Sequence, residues 1–263
     1  MRQFSANLSI LFPRLPYLDR FRAAAGAGFR LIESWWPDDA FAAGMTADEL
    51  VREVERWGLQ MVLLNFPAGN MAAGDRGLAS DPGRVEAFRL QVPVAIELAR
   101  RLGCQRMNCL AGNEVAPGMR DQQLELLAAN VASAADSAAR AGINVLLEPL
   151  NPVDTPHYLL HDTADAIAII DRVARPNVRL QFDTYHVAMA GEDPIEAAER
   201  SAQKIGHVQL ADAPGRHEPG TGRIPFEAVL DALESHGYAG PYGLEFVPLD
   251  PASPDFSCVA RLG

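Results

Sequence analysis

Four short apolar runs in the second half of the chain each close on a side chain able to hold a metal: Val145-Leu146-Leu147-Glu148, Leu180-Gln181-Phe182-Asp183, His207-Val208-Gln209 and Gly243-Leu244-Glu245. The four groups follow one another at intervals of 35, 26 and 36 residues. A strand, a helix and two connections take up about 30 residues, so this is the spacing of successive parallel strands joined by helical crossovers. Polar groups at the same end of neighbouring parallel strands converge, and in a (β/α)8 barrel that end is the catalytic face. Glu148, Asp183, Gln209 and Glu245 offer oxygen only, which suits a hard divalent cation, Mg²⁺ or Mn²⁺, better than zinc. Any one of them alone could cap a loop or pair with an arginine, since structural ion pairs are common. Four at equivalent strand ends argue for one site.

Three residues in the loops beyond these strands extend the site. His186 follows Asp183 by three residues, in Asp183-Thr184-Tyr185-His186, and alone reads as a hydrogen-bonded structural histidine. Asp154 lies six residues past Glu148. Arg216, in the loop Ala213-Pro214-Gly215-Arg216-His217-Glu218-Pro219-Gly220-Thr221-Gly222, could grip a carboxylate in a two-pronged contact. The Gly-Thr-Gly of that loop could instead cradle a phosphate, a common use of this barrel region. No G-x-G-x-x-G follows a first strand, which removes a dinucleotide fingerprint. Polar groups also end the first-half strands: Asn7 and Ser9, Glu33, Asn65 and Asn108.

The elements that must position these groups are legible from periodicity. Strands are predicted over Phe4–Ile10, Leu31–Ser34, Met61–Asn65, Arg106–Leu110, Asn144–Glu148, Val178–Asp183, Ile205–Leu210 and Tyr242–Phe246. Between them lie predicted helices over Tyr17–Ala25, Thr46–Trp57, Pro82–Leu102, Asp121–Arg140, Thr163–Ala174, Pro194–Ser201 and Pro225–Ser235, with a short last helix after Pro251. Thr46 with Glu49 is a capping-box pattern, and Pro82, Pro194 and Pro225 suit first-turn positions. Eight βα units in 263 residues predict a single (β/α)8 TIM barrel spanning 1–263. The long glycine-containing loop Phe66–Ser80 reads either as a functional lid or as a flexible surface loop.

Composition narrows the function classes. The formal net charge is −11, and no basic run marks a nucleic-acid-binding face. No apolar run approaches a membrane span and no signal peptide is visible, so a soluble cytoplasmic protein is expected. Cys104, Cys109 and Cys258 form neither a zinc cluster nor a CxxC pair. The only lysine, Lys204, precedes the seventh strand at the end opposite the catalytic face, which argues against Schiff-base chemistry.

At the residues quoted above the chain resembles the hydroxypyruvate isomerase family of the xylose-isomerase-like TIM barrels. The resemblance runs nearly end to end. It includes Phe4-Ser5-Ala6-Asn7-Leu8-Ser9, Asn65-Phe66-Pro67-Ala68-Gly69, Ala72-Ala73-Gly74-Asp75-Arg76-Gly77 and Glu148-Pro149-Leu150-Asn151. It continues through Asp183-Thr184-Tyr185-His186, Gly206-His207-Val208-Gln209-Leu210-Ala211-Asp212 and Glu218-Pro219-Gly220-Thr221-Gly222. The resemblance implies that Glu148 and Glu245 transfer the proton and bind the metal with Asp183 and Gln209. It also implies that hydroxypyruvate and tartronate semialdehyde interconvert through an enediolate. Related ketose 3-epimerases carry His where this chain has Gln209, which favours the isomerase branch. Arg216, His186, Asp154 and Asn65 are the expected substrate contacts. The expected partner is a small hydroxy or oxo acid, with neither nucleic acid nor membrane; a homo-oligomer is left open. Three rivals stand: an isomerase of a longer 2-oxo acid such as 2-oxo-tetronate, a metal-dependent nuclease like the more distant endonuclease IV, and a non-catalytic acid-binding barrel. The nuclease needs extra strand-end histidines and a basic face. The binding barrel predicts the loss of one glutamate.

Overall fold

Runs such as Met61-Val62-Leu63-Leu64 and Val145-Leu146-Leu147 are apolar at successive positions because a parallel barrel strand is buried on both faces, by helices outside and by side chains inside. In the computed structural model, which describes residues 1–263, eight such strands close into one parallel barrel in chain order. They are β1 (Phe4–Asn7), β2 (Leu31–Ser34), β3 (Gln60–Asn65), β4 (Arg106–Asn108), β5 (Asn144–Leu147), β6 (Val178–Asp183), β7 (Ile205–Leu210) and β8 (Tyr242–Leu244), with β8 pairing back onto β1. The fold is the predicted TIM barrel.

The crossover helices match the apolar periodicity to within a few residues. The helix Ala47–Arg56 carries the predicted capping box: Thr46 accepts from the Glu49 backbone N–H, and Glu49 accepts from the Thr46 N–H. The longest, Arg120–Ala139, buries Leu127, Val131, Ala134 and Ala138 at helical spacing.

Local chemistry corrects several boundaries. β1 stops at Asn7, whose side chain accepts from the Ser9 backbone N–H and caps a short helix, Leu8–Leu11; Ser9 is therefore on a helix, not a strand end. Pro82 does not open its helix. Asp81 accepts from the Gly83 N–H in a turn, and the helix begins only at Val85. The helices Asp38–Ala42 and Thr184–Met189 are too short to show a period, and the sequence does not predict them. No helix is long and apolar enough to cross a membrane.

The interior between β1, β2, β6, β7 and β8 is polar. Glu33 on β2 is fully buried and accepts from Ser5 Oγ at 2.6 Å and from Gln209 Nε2 at 2.8 Å, with His207 Nε2 2.7 Å away. Gly243 faces Gln209 across the β7–β8 ladder, and a Cβ there would run into the Glu33 carboxylate. The glycine thus makes room for a buried glutamate one layer below the mouth.

Candidate active site

A cavity of about 170 Å³ opens among the loops at the C-terminal ends of the strands, lined in part by Trp35, Asn65, Met71, Arg76, Glu148, Asp154, His186, Arg216 and Glu245. Drug-sized ligands usually occupy about 300 Å³ or more, so this space suits a molecule of few heavy atoms. A larger hollow at Arg2, Gln3 and Glu234 holds charges that already pair with one another.

Glu148 follows β5 and is almost fully buried. Asn108, at the end of the neighbouring β4, donates to its Oε2 at 2.6 Å, while Oε1 is buried with no hydrogen-bond partner. Burial raises the Glu148 carboxyl well above the ordinary range, and the charges of Glu245 and Asp183 add to this.

Asp183 ends β6 and caps the helix that follows, its Oδ1 accepting from the Tyr185 N–H at 2.8 Å. Burial pushes its carboxyl up to about 7 against the favourable charge of Arg216. The same short helix carries His186, whose ring lies with Glu148 and Asp183 in a group with ligating atoms all within 4.8 Å. Its Nδ1 is taken: the backbone N–H of Asn151 lies at 3.1 Å and its side-chain Nδ2 at 2.9 Å. The Asn151 amide is fixed in that sense because its Oδ1 accepts from the Val153 and Asp154 N–H groups. The network therefore assigns the ring proton to Nε2, which lies 3.9 Å from Asp183 Oδ2. Burial lowers the His186 pKa well below its usual value, so the ring is neutral and Nε2–H is a donor. A donor suits a substrate oxygen better than it suits a metal ion.

Glu245 follows β8 and is held by three donors. Asn7 Nδ2 and Trp35 Nε1 reach Oε1 at 2.9 and 2.6 Å, and Arg216 Nη2 reaches Oε2 at 2.7 Å. The same Arg216 nitrogen lies 3.4 Å from Asp183 Oδ2, and the guanidinium sits over the Tyr185 ring at 5.5 Å. Arg216 adopts φ 57°, a left-handed conformation that costs a bulky residue on the order of 1–3 kcal/mol and persists where its surroundings demand it. Tyr185 in turn donates to Asp154 Oδ2 at 2.6 Å.

The chain therefore brings Glu148, Asp183 and His186 into one group and joins Glu245 to it through Arg216. Asn65 and Asp154 line the cavity. Gln209 pairs with Asp183 across β6–β7 but turns its amide away from the group: its Oε1 accepts from Gln181 Nε2 at 2.6 Å while its Nε2 is bonded to Glu33. The sequence reading did not single out Trp35 and Arg76, and it noted Asn7 and Asn108 only as polar strand ends. The register Asn65↔Asn108 across β3–β4 could have flagged the second.

The residues fit a divalent cation. Buried carboxyl groups converge, and Glu148 Oε1 is a buried oxygen for which the protein supplies no partner.

A family model for the xylose isomerase-like TIM barrel matches residues 21–256. The chain is similar to the hydroxypyruvate isomerase of Escherichia coli, at 39% identity covering 94% of each. It is similar to the 2-oxo-tetronate isomerase of Haemophilus influenzae, at 35% identity covering 94% of each. Among solved structures, one from Brucella melitensis described as an AP endonuclease, family 2, superposes with a TM-score of 0.88 at 38% identity, covering 95% of both chains.

Proposed function

The chain belongs to the xylose isomerase-like TIM-barrel family and is an isomerase of its hydroxypyruvate and 2-oxo-tetronate isomerase group; from that premise we propose that it interconverts hydroxypyruvate and tartronate semialdehyde. The observation that carries this reading is the pair of buried, unequally held glutamates at one small mouth. Glu148 has an unpartnered oxygen, and Glu245 is gripped by Asn7, Trp35 and Arg216.

One carboxylate takes a proton from the hydroxymethyl carbon, the other, as its carboxylic acid, delivers one to the former carbonyl carbon, and the hydroxyl proton passes to the former carbonyl oxygen, by way of an enediolate. Glu148, Asp183 and Glu245 would hold Mg²⁺ or Mn²⁺; Gln209, whose amide is engaged by Gln181 and Glu33, would have to turn to join them. Such an ion supplies positive charge where the enediolate's negative charge develops. His186 Nε2–H can donate to a substrate oxygen, and its neutral ring does not compete for the proton in transit. Arg216 keeps Glu245 and Asp183 in place and offsets their charge. Asn65 and Asp154 offer the substrate further polar contacts from the wall.

A second reading, an isomerase of the longer 2-oxo-tetronate, is favoured by the Haemophilus relative. Of the six histidines only His186 lines the cavity, which is too few for a nuclease built on a histidine-rich metal cluster. Three buried free cysteines accord with a reducing, cytoplasmic setting.

The test is a panel of hydroxypyruvate, 2-oxo-tetronate and neutral ketoses with metal-loaded protein, followed by NMR in D₂O. Product from an acid, with deuterium at the new carbon–hydrogen bond, supports the reading. Turnover of neutral ketoses alone would overturn it.

A further inference from the structure

We propose that Arg76, on the loop after β3, binds the substrate carboxylate and makes the site selective for acids over neutral sugars. This rests on the reading of the site as one for a small oxo or hydroxy acid. Such a substrate carries its own charge into a cavity lined by Glu148, Asp154 and Glu245. A buried carboxylate among others requires a cation of its own. Arg216 lines the cavity and its Nε has no partner, but its charge is already set against Glu245 and Asp183, which share its Nη2. His186 is neutral.

Arg76 is differently placed. It lines the same cavity, yet it forms no salt bridge. Its Nη1 donates to the backbone carbonyls of Met71 and Asp75 at 3.1 and 2.7 Å, leaving Nε and Nη2 with no protein acceptor. Those two nitrogens form the side-on edge of the guanidinium, whose parallel N–H bonds match the two oxygens of a carboxylate. The adjacent Asp75 does not compete, because Arg84 holds both of its oxygens, at 2.7 and 3.0 Å.

The loop is fixed in advance. Ser80 N–H donates to Ala111 O at 2.9 Å, Asn113 Nδ2 donates to Gly74 O at 2.9 Å, and Gly77, at φ 108°, lies so close to the Leu110 backbone that no Cβ fits. A guanidinium pinned through one nitrogen on an anchored loop loses little freedom on binding.

The experiment compares wild type, Arg76→Gln and Arg76→Lys in binding two unreactive or poorly reactive probes, glycerate and dihydroxyacetone, by calorimetry on the Mn²⁺-loaded protein. Arg76→Gln is expected to weaken glycerate, and to raise KM for hydroxypyruvate, by about 10–100-fold, the worth of a charge-assisted contact. Dihydroxyacetone affinity should be unchanged and kcat should move far less than KM, with Arg76→Lys recovering part of the loss. Unchanged glycerate affinity in Arg76→Gln would overturn the proposal, and so would an equal loss for both probes, which marks a merely structural role. A wild-type protein that binds no acid overturns it too. The binding contrast needs no turnover. Failure to isomerise any acid therefore counts against the proposed reaction, while Arg76 is judged on glycerate alone.

Discussion

Asn108 donates to one oxygen of Glu148 at 2.6 Å and leaves the other buried without a partner. The amide thereby fixes the carboxylate plane and presents a single free oxygen to the mouth. Groups that orient a ligand or acid/base from behind typically contribute about 10–100-fold to metal affinity or activity. Asn108→Ala is therefore expected to fold, to bind Mn²⁺ more weakly and to lose activity in that range. Wild-type rates and wild-type metal affinity in this variant would remove Asn108 from any positioning role.

Metal binding should be linked to pH. Asp183, with its carboxyl near 7, and Glu148, raised well above the usual range, keep their protons more tightly in the fold than in the unfolded chain. Their protonated forms stabilise the metal-free fold at acid pH, and that contribution fades as pH rises through about 7. A bound cation requires both groups ionised, which reverses the preference. The gain in Tm on replacing EDTA with saturating Mn²⁺ should thus grow from about pH 5.5 to about pH 8, with protons released on binding. The measurements are melting curves across that range and titration calorimetry in two buffers of different ionisation enthalpy. A gain that shrinks as pH rises would contradict the assignment.

Much of this was legible in the sequence, and the exceptions have physical causes. Strand ends at 35, 26 and 36 residues locate Glu148, Asp183 and Glu245 because a parallel barrel repeats one βα unit, so equivalent ends share one face. Depth is harder to read. Gln209 pairs across the ladder with Gly243, whereas Glu245 lies two residues, about 6.6 Å, further toward the mouth. Gln209 also pairs with Asp183 across β6–β7, so the register does not decide its depth; Gln181 and Glu33, which hold its amide, turn it toward the interior. Nothing local in His207-Val208-Gln209 announces this. The His186 tautomer depends on Asn151, 35 residues away, and the isolation of Arg76 depends on which carboxylates others have already claimed. Such facts belong to the folded contacts and have no periodicity to betray them.

The polar layer below the mouth gives a stability test. Gly243→Ala would place a methyl group against the Glu33 carboxylate, which is itself held by Ser5, His207 and Gln209. Overpacking of this kind costs about 1–3 kcal/mol. Urea unfolding should show a lowered midpoint at an unchanged slope. A variant as stable as the parent would mean that the Glu33 carboxylate can move aside and that the layer is loosely packed.

The two glutamates give the most direct test of the proposed chemistry. Glu148→Gln and Glu245→Gln should each fold, because the amide is nearly isosteric and keeps a carbonyl oxygen. Each should lose most of kcat, since an amide cannot accept and return a proton and a positioned acid or base is worth roughly 10²–10⁴ in rate. Metal must be saturated before rates are compared, because either change removes a negative charge from the site. The variants need not behave alike. Glu245 is held by Asn7, Trp35 and Arg216, so Glu245→Gln exchanges a gripped anion for an amide whose nitrogen faces one of those donors, and its binding should suffer as well. Glu148 keeps an oxygen free of partners, so Glu148→Gln should lose rate with a smaller change in KM. Exchange of the substrate's carbon-bound proton with D₂O separates the roles: the variant lacking the base that removes the proton shows no exchange, and the other still exchanges without forming product. If both variants, with metal bound, turn over near the parent rate, the two-carboxylate mechanism fails, and Asp154, hydrogen-bonded to Tyr185 at the cavity wall, becomes the group to test.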